Sequence, residues 1–78
     1  MYYTYILLLN DGEFYSGHTD DLKKRLEYHQ NKKVSATKNR QPCELIFYAA
    51  FKSRIKAIQF EKYLKSSSGF AFRNKRLI

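Results

Sequence analysis

The chain has 78 residues, an apolar fraction of 44%, and 15 Lys and Arg against 7 Asp and Glu, which gives a formal net charge of +8. This length leaves room for one small domain, so we expect residues 1–78 to form a single unit. Cys43 is the only cysteine, which excludes an intramolecular disulfide scaffold and favours a reducing compartment. The first residues are typical of neither a signal peptide nor a membrane span. We therefore expect a cytoplasmic protein without a membrane or disulfide-linked partner.

The charge is unevenly distributed along the chain. Residues 1–22 contain four acids and no base, whereas residues 23–78 contain 15 bases and 3 acids. A polyanion is the natural partner of such a basic surface, because a phosphate backbone releases counterions when lysine and arginine bind to it. On charge alone, a basic surface that only keeps the protein in solution is the alternative.

The first elements in chain order are two strands. Residues 2–9 are aromatic, β-branched and apolar, which is typical of a strand covered on both faces. Turn residues follow at 10–12, and residues 13–17 are predicted to return as the second strand of a hairpin.

The length of the hairpin loop decides which side chains share a face. A three-residue loop at 10–12, with Gly12 left-handed, pairs Leu7 with Tyr15 and places Tyr5 on the same face as Tyr15. A two-residue loop would separate the two tyrosines. We predict the three-residue loop.

A helix and a polar segment are predicted next. Thr19 is the expected N-cap of a helix over residues 20–30, with Asp20 and Asp21 in its first turn, where the helix dipole favours negative charge. Residues 31–41 are polar and basic without a clean period, so we expect an exposed loop.

The second half of the chain predicts a strand and a helix. Residues 44–51 resemble a third strand that is apolar on both faces, and Ser53 can cap a helix that runs to about Lys65. Residues 70–78 are compatible with one or two further helical turns. The order β-β-α-β-α predicts an α+β fold, with a small three-stranded antiparallel or mixed sheet and flanking helices.

Each predicted helix carries one charge on its apolar stripe. In the first helix, Arg25 lies on the stripe formed by Leu22, Leu26 and His29. Such a guanidinium usually reaches toward solvent or is paired. His29 is four residues further along the same face, and a lone helical histidine is most often structural.

The second helix places a carboxylate in the equivalent position. Glu61 lies among the apolar residues Ala57, Ile58 and Leu64. Burying a carboxylate is costly unless it is paired or binds a cation. A buried ion pair between Arg25 and Glu61 is one explanation, and a cation site is the other.

Taken together, these residues are similar to the GIY-YIG nuclease superfamily, in particular its small stand-alone bacterial members. The resemblance rests on Tyr3-Thr4-Tyr5, Tyr15-Ser16-Gly17, the segment 21–26 with Arg25, His29, and Glu61 within Phe60-Glu61-Lys62-Tyr63-Leu64-Lys65. It covers nearly the whole chain. Tyr3 and Thr4 replace the Gly and Ile of the first motif, and Ser16 replaces the Ile of the second. These are scaffold positions, so the substitutions bear on packing more than on chemistry.

The resemblance implies a divalent-metal-dependent DNA endonuclease of low sequence specificity, which selects DNA structures in repair or processing. It implies that Glu61 is the sole protein ligand of Mg²⁺ or Mn²⁺, as suits a hard cation that keeps its waters. Arg25 would hold the scissile phosphate. Tyr5 would be the general base, acidified by the metal and Arg25, and Tyr15 would orient the water or phosphate. His29 matches a catalytic or phosphate-contacting residue of some members and is a lesser catalytic candidate. Asn74 is a weak candidate, matched to a late polar residue of some members.

Phosphate contacts outside the site are expected from basic residues in the first helix and the polar loop. These are Lys23, Lys24, Lys32, Lys33, Lys38 and Arg40. Such contacts position a backbone without reading sequence, and they do not separate DNA from RNA. A catalytically silent nucleic-acid-binding module that acts through a partner is the alternative function. The sequence leaves the oligomeric state open.

Overall fold

The computed structural model describes residues 1–66, 69, 74 and 75. Its elements are the strands β1 (Tyr2–Leu8) and β2 (Phe14–Thr19), the helix α1 (Leu22–Gln30), the strand β3 (Glu44–Phe51) and the helix α2 (Arg54–Leu64). The three strands form one antiparallel sheet in the order β2-β1-β3. The predicted α+β fold and its element order are confirmed.

The hairpin between β1 and β2 has the predicted three-residue loop. Leu7 pairs with Tyr15, and the backbone N–H of Leu9 donates to the carbonyl of Glu13 at 2.9 Å. Gly12 has a φ of +84°, a left-handed conformation that glycine adopts without steric cost. Because side chains alternate along a strand, this register places Tyr5 and Tyr15 on one face of the sheet.

The predicted start of α1 was wrong by two residues. Thr19 belongs to β2, where it pairs with Tyr3, so β2 extends two residues beyond the predicted end. The N-cap is Asp21, whose carboxylate accepts from the backbone N–H of Lys24 at 3.0 Å. Asp20 and Asp21 therefore precede the helix instead of forming its first turn. The β-branched Thr19 favours extended backbone, which explains why the strand continues through it.

The two helices pack on opposite faces of the sheet. Leu22 and Leu26 of α1 pack on the face formed by Tyr5, Leu7 and Leu9. The hydroxyl of Thr4, which points to the other face, donates to the carbonyl of Ala57 in α2 at 2.6 Å. The central strand β1 is therefore buried on both sides, as predicted.

The helix α2 begins and ends as predicted, within one residue. Ser53 is its N-cap and accepts from the backbone N–H of Lys56 at 3.3 Å, and Lys65 is the C-cap. Ala57 and Leu64 of its apolar stripe are buried.

The strand β3 is less covered than its sequence predicts. It lies at an edge of the sheet, and Tyr48 is 54% exposed. Of the C-terminal segment, residues 74 and 75 are helical, and the remainder of the predicted turns over 70–78 lies outside the described residues. No helix in the described part of the chain is both long and apolar enough to cross a membrane.

Candidate functional site

The candidate site surrounds β2, the edge strand that forms the second half of the hairpin. Tyr15 and Gly17 point to the face covered by α1, whereas His18 points to the face covered by α2. The side chain of Glu61 reaches His18 from α2. Residues from both faces of the sheet therefore come together around one edge.

Gly17 makes room for the Tyr5 ring. The two residues are paired across β1 and β2, and a Cβ atom at position 17 would lie 2.6 Å from the Tyr5 hydroxyl and 3.1 Å from the Tyr15 ring. The rings of Tyr5 and Tyr15 have centroids 6.3 Å apart, as expected for two tyrosines on one face. Any side chain at position 17 would displace the Tyr5 hydroxyl.

A chain of hydrogen bonds holds the Tyr5 hydroxyl. It bonds to Nε2 of His29 at 2.9 Å, and Nδ1 of His29 bonds to the hydroxyl of Thr37 at 2.8 Å. All three side chains are buried, with relative exposures of 1% or less. The expectation that residues 31–41 are simply an exposed loop was wrong at Thr37, because this hydroxyl is the hydrogen-bond partner of a buried imidazole.

Burial sets the protonation states of this chain of residues. It raises the pKa of Tyr5 far above its usual value, and the neighbouring Tyr15 adds to the rise while Arg25 opposes it. Without a bound metal, burial outweighs the acidifying effect of Arg25 on Tyr5, and the expected acidification by a metal stays a prediction. Burial also lowers the pKa of His29, and the charge of Arg25 lowers it further. At neutral pH the site holds a protonated phenol beside a neutral imidazole.

Glu61 is held by two cationic or hydrogen-bonding partners. Its Oε1 contacts Nδ1 of His18, and its Oε2 accepts from Nζ of Lys65 at 2.7 Å. Burial alone would raise the pKa of Glu61, but the hydrogen bonds from Lys65 and His18 bring it below the ordinary value. The Lys65 ammonium also lies 6.0 Å from the centroid of the Tyr15 ring. A positive charge therefore already occupies the space between Glu61 and Tyr15.

Arg25 is available for a ligand. The proposed structural ion pair with Glu61 is wrong, since the partners of Glu61 are His18 and Lys65. Within residues 1–66, 69, 74 and 75, the Arg25 guanidinium makes no hydrogen bond or ion pair. It lines a cavity of about 120 Å³ together with His18 and Arg54. Asp20 also lines this cavity, so an anion entering it would meet the guanidinium groups of Arg25 and Arg54 beside one carboxylate.

The six predicted phosphate contacts are not equivalent. The five lysines are exposed, and the ammonium groups of Lys24 and Lys33 lie 5.9 and 5.7 Å from the centroid of the Tyr28 ring. Nε of Arg40 donates to the Asp11 carboxylate at 2.8 Å, so its charge is already partly compensated. Asn74, the remaining weak candidate, is exposed and helical.

Sequence reasoning missed three residues of this site. His18 and Thr37 belong to no periodic pattern or motif in the sequence. Their roles depend on contacts with Glu61, 43 residues after His18, and with His29, 8 residues before Thr37. Lys65 could have been found, because it lies one helical turn after Glu61, where oppositely charged side chains interact. Cys43, the single cysteine, is half-buried, and burial raises its pKa.

The buried His29 predicts a loss of stability in mild acid. Its ordinary pKa is 6.5 and its folded pKa is lower, so the unfolded chain takes up the proton first as the pH falls. The free energy of unfolding should therefore decrease from about pH 6.5 downward until the folded pKa is reached. We expect the difference in melting temperature between the wild type and His29→Gln to shrink as the pH falls from 7 to 5. A difference that stays constant over this range would contradict the buried neutral imidazole.

Comparisons with known proteins identify the family of the chain. Residues 1–76 match the sequence model of the GIY-YIG catalytic domain. The chain is 38% identical to the UPF0213 protein YazA of Bacillus subtilis over 82% of this chain and 66% of that protein. It is 40% identical to a UPF0213 protein of Lacticaseibacillus paracasei, over 82% of this chain and 73% of the other.

A solved structure shares the fold. The solution NMR structure of the UPF0213 protein BH0048 from Bacillus halodurans superimposes with a TM-score of 0.60 at 30% identity, covering 99% of this chain and 87% of that one. The GIY-YIG catalytic domain is that of a nuclease superfamily. This chain belongs to the GIY-YIG family and is similar to its small UPF0213 members.

Proposed function

We propose that this protein is a divalent-metal-dependent endonuclease that hydrolyses DNA phosphodiester bonds with low sequence specificity. The observation that carries the proposal is the position of Glu61. The Glu61 side chain is 15% exposed, and its carboxylate contacts His18 of β2 and Lys65, whose ammonium lies 6.0 Å from the centroid of the Tyr15 ring. A partly buried carboxylate beside basic groups is suited to holding a cation next to a phosphate.

The donor set fits one hard cation. The described residues contain no group of three or more His, Cys, Asp or Glu side chains that could enclose a metal, so Glu61 would act as a single protein ligand. Mg²⁺ or Mn²⁺ can be held this way, because it keeps several waters and takes its other oxygens from phosphate. The Lys65 ammonium shows that a cation fits beside Oε2. When bound, the metal would polarise a phosphate oxygen and neutralise charge.

Arg25 is the proposed phosphate-binding residue. Its guanidinium has no partner in the described part of the chain and faces the same small cavity as His18, which touches Glu61. Arginine donates in a planar fork that matches two oxygens of a phosphate. In this position Arg25 would stabilise the negative charge that develops on phosphorus oxygens in the transition state.

Tyr5 is the proposed general base, with His29 as the acceptor of its proton. A phenol with a raised pKa is a weak source of phenolate, but the Tyr5 oxygen lies 2.9 Å from Nε2 of His29, to which its hydrogen can be donated. The water proton can move to the Tyr5 oxygen as the Tyr5 proton moves to His29, so no free phenolate is required. Tyr15, which is partly exposed, would orient the water or the phosphate.

The Glu61–Lys65 pair predicts competition with metal. Lys65→Met removes the ammonium from Oε2, and we expect the Kd for Mn²⁺, measured by calorimetry, to fall about 1.4- to fivefold, since a half-exposed ion pair contributes about 0.2–1 kcal/mol. Lys62→Met is the matched control, because it makes the same charge change on the exposed surface of α2. Equal effects of the two substitutions would show that Lys65 does not compete with metal.

A cleavage assay tests the function. Purified protein is incubated with Mg²⁺ or Mn²⁺ and with duplex, single-stranded, flap and branched DNA, and with RNA of the same sequences. We expect metal-dependent cleavage of DNA that Tyr5→Phe lowers by about 10²- to 10⁴-fold, the range of a general base. Salt-sensitive binding of DNA without cleavage under any metal would instead favour the catalytically silent binding module.

A further inference from the structure

Thr37 is an unusual residue in the basic loop that follows α1. It is fully buried, although most of its neighbours between residues 31 and 41 are exposed. Its hydroxyl bonds to Nδ1 of His29 at 2.8 Å and to the carbonyl of Val34 at 3.5 Å. The amide of Gln41 donates to the backbone carbonyls of both His29 and Thr37. Two of these contacts, from Thr37 and from Gln41, therefore tie this loop to the histidine behind Tyr5.

The hydrogen-bond partners of His29 favour one tautomer of its ring. The Tyr5 hydroxyl is buried and bonds to Nε2, so a Tyr5 hydrogen that finds an acceptor in the described part of the chain is donated to Nε2. A neutral imidazole that accepts at Nε2 must carry its hydrogen on Nδ1. That hydrogen points to the Thr37 oxygen, and the Thr37 hydrogen in turn points to the carbonyl of Val34.

We propose that Thr37 is a positioning residue that holds His29 in the tautomer able to accept the Tyr5 proton. This inference rests on the proposed function. In the step, the water oxygen forms a bond to phosphorus while its proton moves to the Tyr5 oxygen, the Tyr5 proton moves to Nε2 of His29, and the leaving P–O bond breaks. The leaving oxygen takes a proton from solvent.

The hydroxyl of Thr37 stabilises His29 both before and after the proton transfer. Before transfer, it stabilises the hydrogen on Nδ1 and keeps Nε2 open. After transfer, it accepts from the Nδ1 hydrogen of an imidazolium in a buried site, where an unpaired donor would be costly. Without the Thr37 hydroxyl, the hydrogen of the neutral His29 ring can reside on Nε2 instead of Nδ1. In that tautomer Nε2 donates to Tyr5 and therefore cannot accept the Tyr5 proton.

The test combines Thr37→Val, which keeps the shape and removes the hydroxyl, with Thr37→Ser, which restores it. Nitrogen-15 NMR of the His29 ring reports the tautomer directly. We expect the hydrogen on Nδ1 in the wild type and in Thr37→Ser, and a shift toward Nε2 in Thr37→Val. In the cleavage assay, kcat should fall by about tenfold or more in Thr37→Val and recover in Thr37→Ser. Ser35→Ala, which removes an exposed hydroxyl of the same loop, should leave both measurements unchanged.

The outcomes separate this inference from the proposed function. If the His29 ring of the folded wild type carries its hydrogen on Nε2, the inference about Thr37 is overturned, even if Thr37→Val fails to fold. A folded Thr37→Val protein with wild-type tautomer and wild-type kcat also overturns it. Loss of the Nδ1 tautomer in a protein that cleaves no nucleic acid would support the positioning of His29 while refuting the nuclease, because NMR does not depend on turnover.

Discussion

Glu61→Gln is expected to abolish metal-dependent cleavage in a protein that remains folded. The amide keeps the shape of the side chain and an oxygen that can accept from Lys65, but it removes the charge that a hard cation requires. We expect kcat to fall by about a thousandfold or more and the calorimetric signal for Mn²⁺ to disappear. The free energy of unfolding should change by at most about 1 kcal/mol, because the partners of Glu61 are partly exposed.

Glu27→Gln is the matched control for this experiment. Glu27 is an exposed carboxylate on α1, so the same change of charge is made away from β2. Metal binding and cleavage should stay within about twofold of the wild type, the size of a surface-charge effect. Cleavage that survives in Glu61→Gln, or is lost equally in both variants, would contradict the role of Glu61.

Gly17→Ala has the second large expected effect. The new Cβ would lie 2.6 Å from the Tyr5 hydroxyl and 2.7 Å from the ring carbon that bears it, and Tyr5 is buried with little room to move. We expect a loss of about 1–3 kcal/mol in the free energy of unfolding, as for other overpacked cores. Cleavage should fall by more than this loss explains, because the Tyr5 hydroxyl is pushed from His29. Denaturant unfolding and cleavage rates measure the two effects.

Gly12→Ala is the control that distinguishes backbone strain from the steric crowding expected in Gly17→Ala. Nothing lies within 4 Å of a Cβ at position 12, but its φ of +84° is unfavourable for alanine. We expect a cost of about 1 kcal/mol in stability and unchanged cleavage, because the hairpin turn lies outside the site. If Gly17→Ala behaved in the same way as Gly12→Ala, the close approach of Tyr5 to residue 17 would be refuted.

Local patterns were sufficient to predict the fold and part of the site. The turn residues at 10–12 fixed the register, and with it the shared face of Tyr5 and Tyr15. Helical spacing correctly placed His29 among buried residues, although its partners were not foreseen. These features depend on neighbours in sequence, which alternation and helical periodicity describe well.

Contacts distant in sequence explain what was missed. Glu61 was correctly identified as an anomaly, but its partner His18 comes from a strand 43 residues earlier, and no pattern predicts that α2 meets the edge of β2. Thr37 lies in a segment without a period, so its burial was not predictable. The raised pKa of Tyr5 in the absence of metal was not predictable from the sequence either, because it depends on how deeply the fold encloses the ring.

Two contacts between the hairpin turn and the segment after α1 have a consequence for substrate binding. The side-chain amide of Asn10 donates to the carbonyl of Gln41 at 2.6 Å, next to the ion pair of Asp11 with Arg40. These contacts anchor the end of the segment that carries Lys32, Lys33 and Lys38. Under the proposed function, a preorganised segment would lose less conformational entropy when a nucleic acid docks on it, so the three lysines would contribute more of their attraction to net affinity.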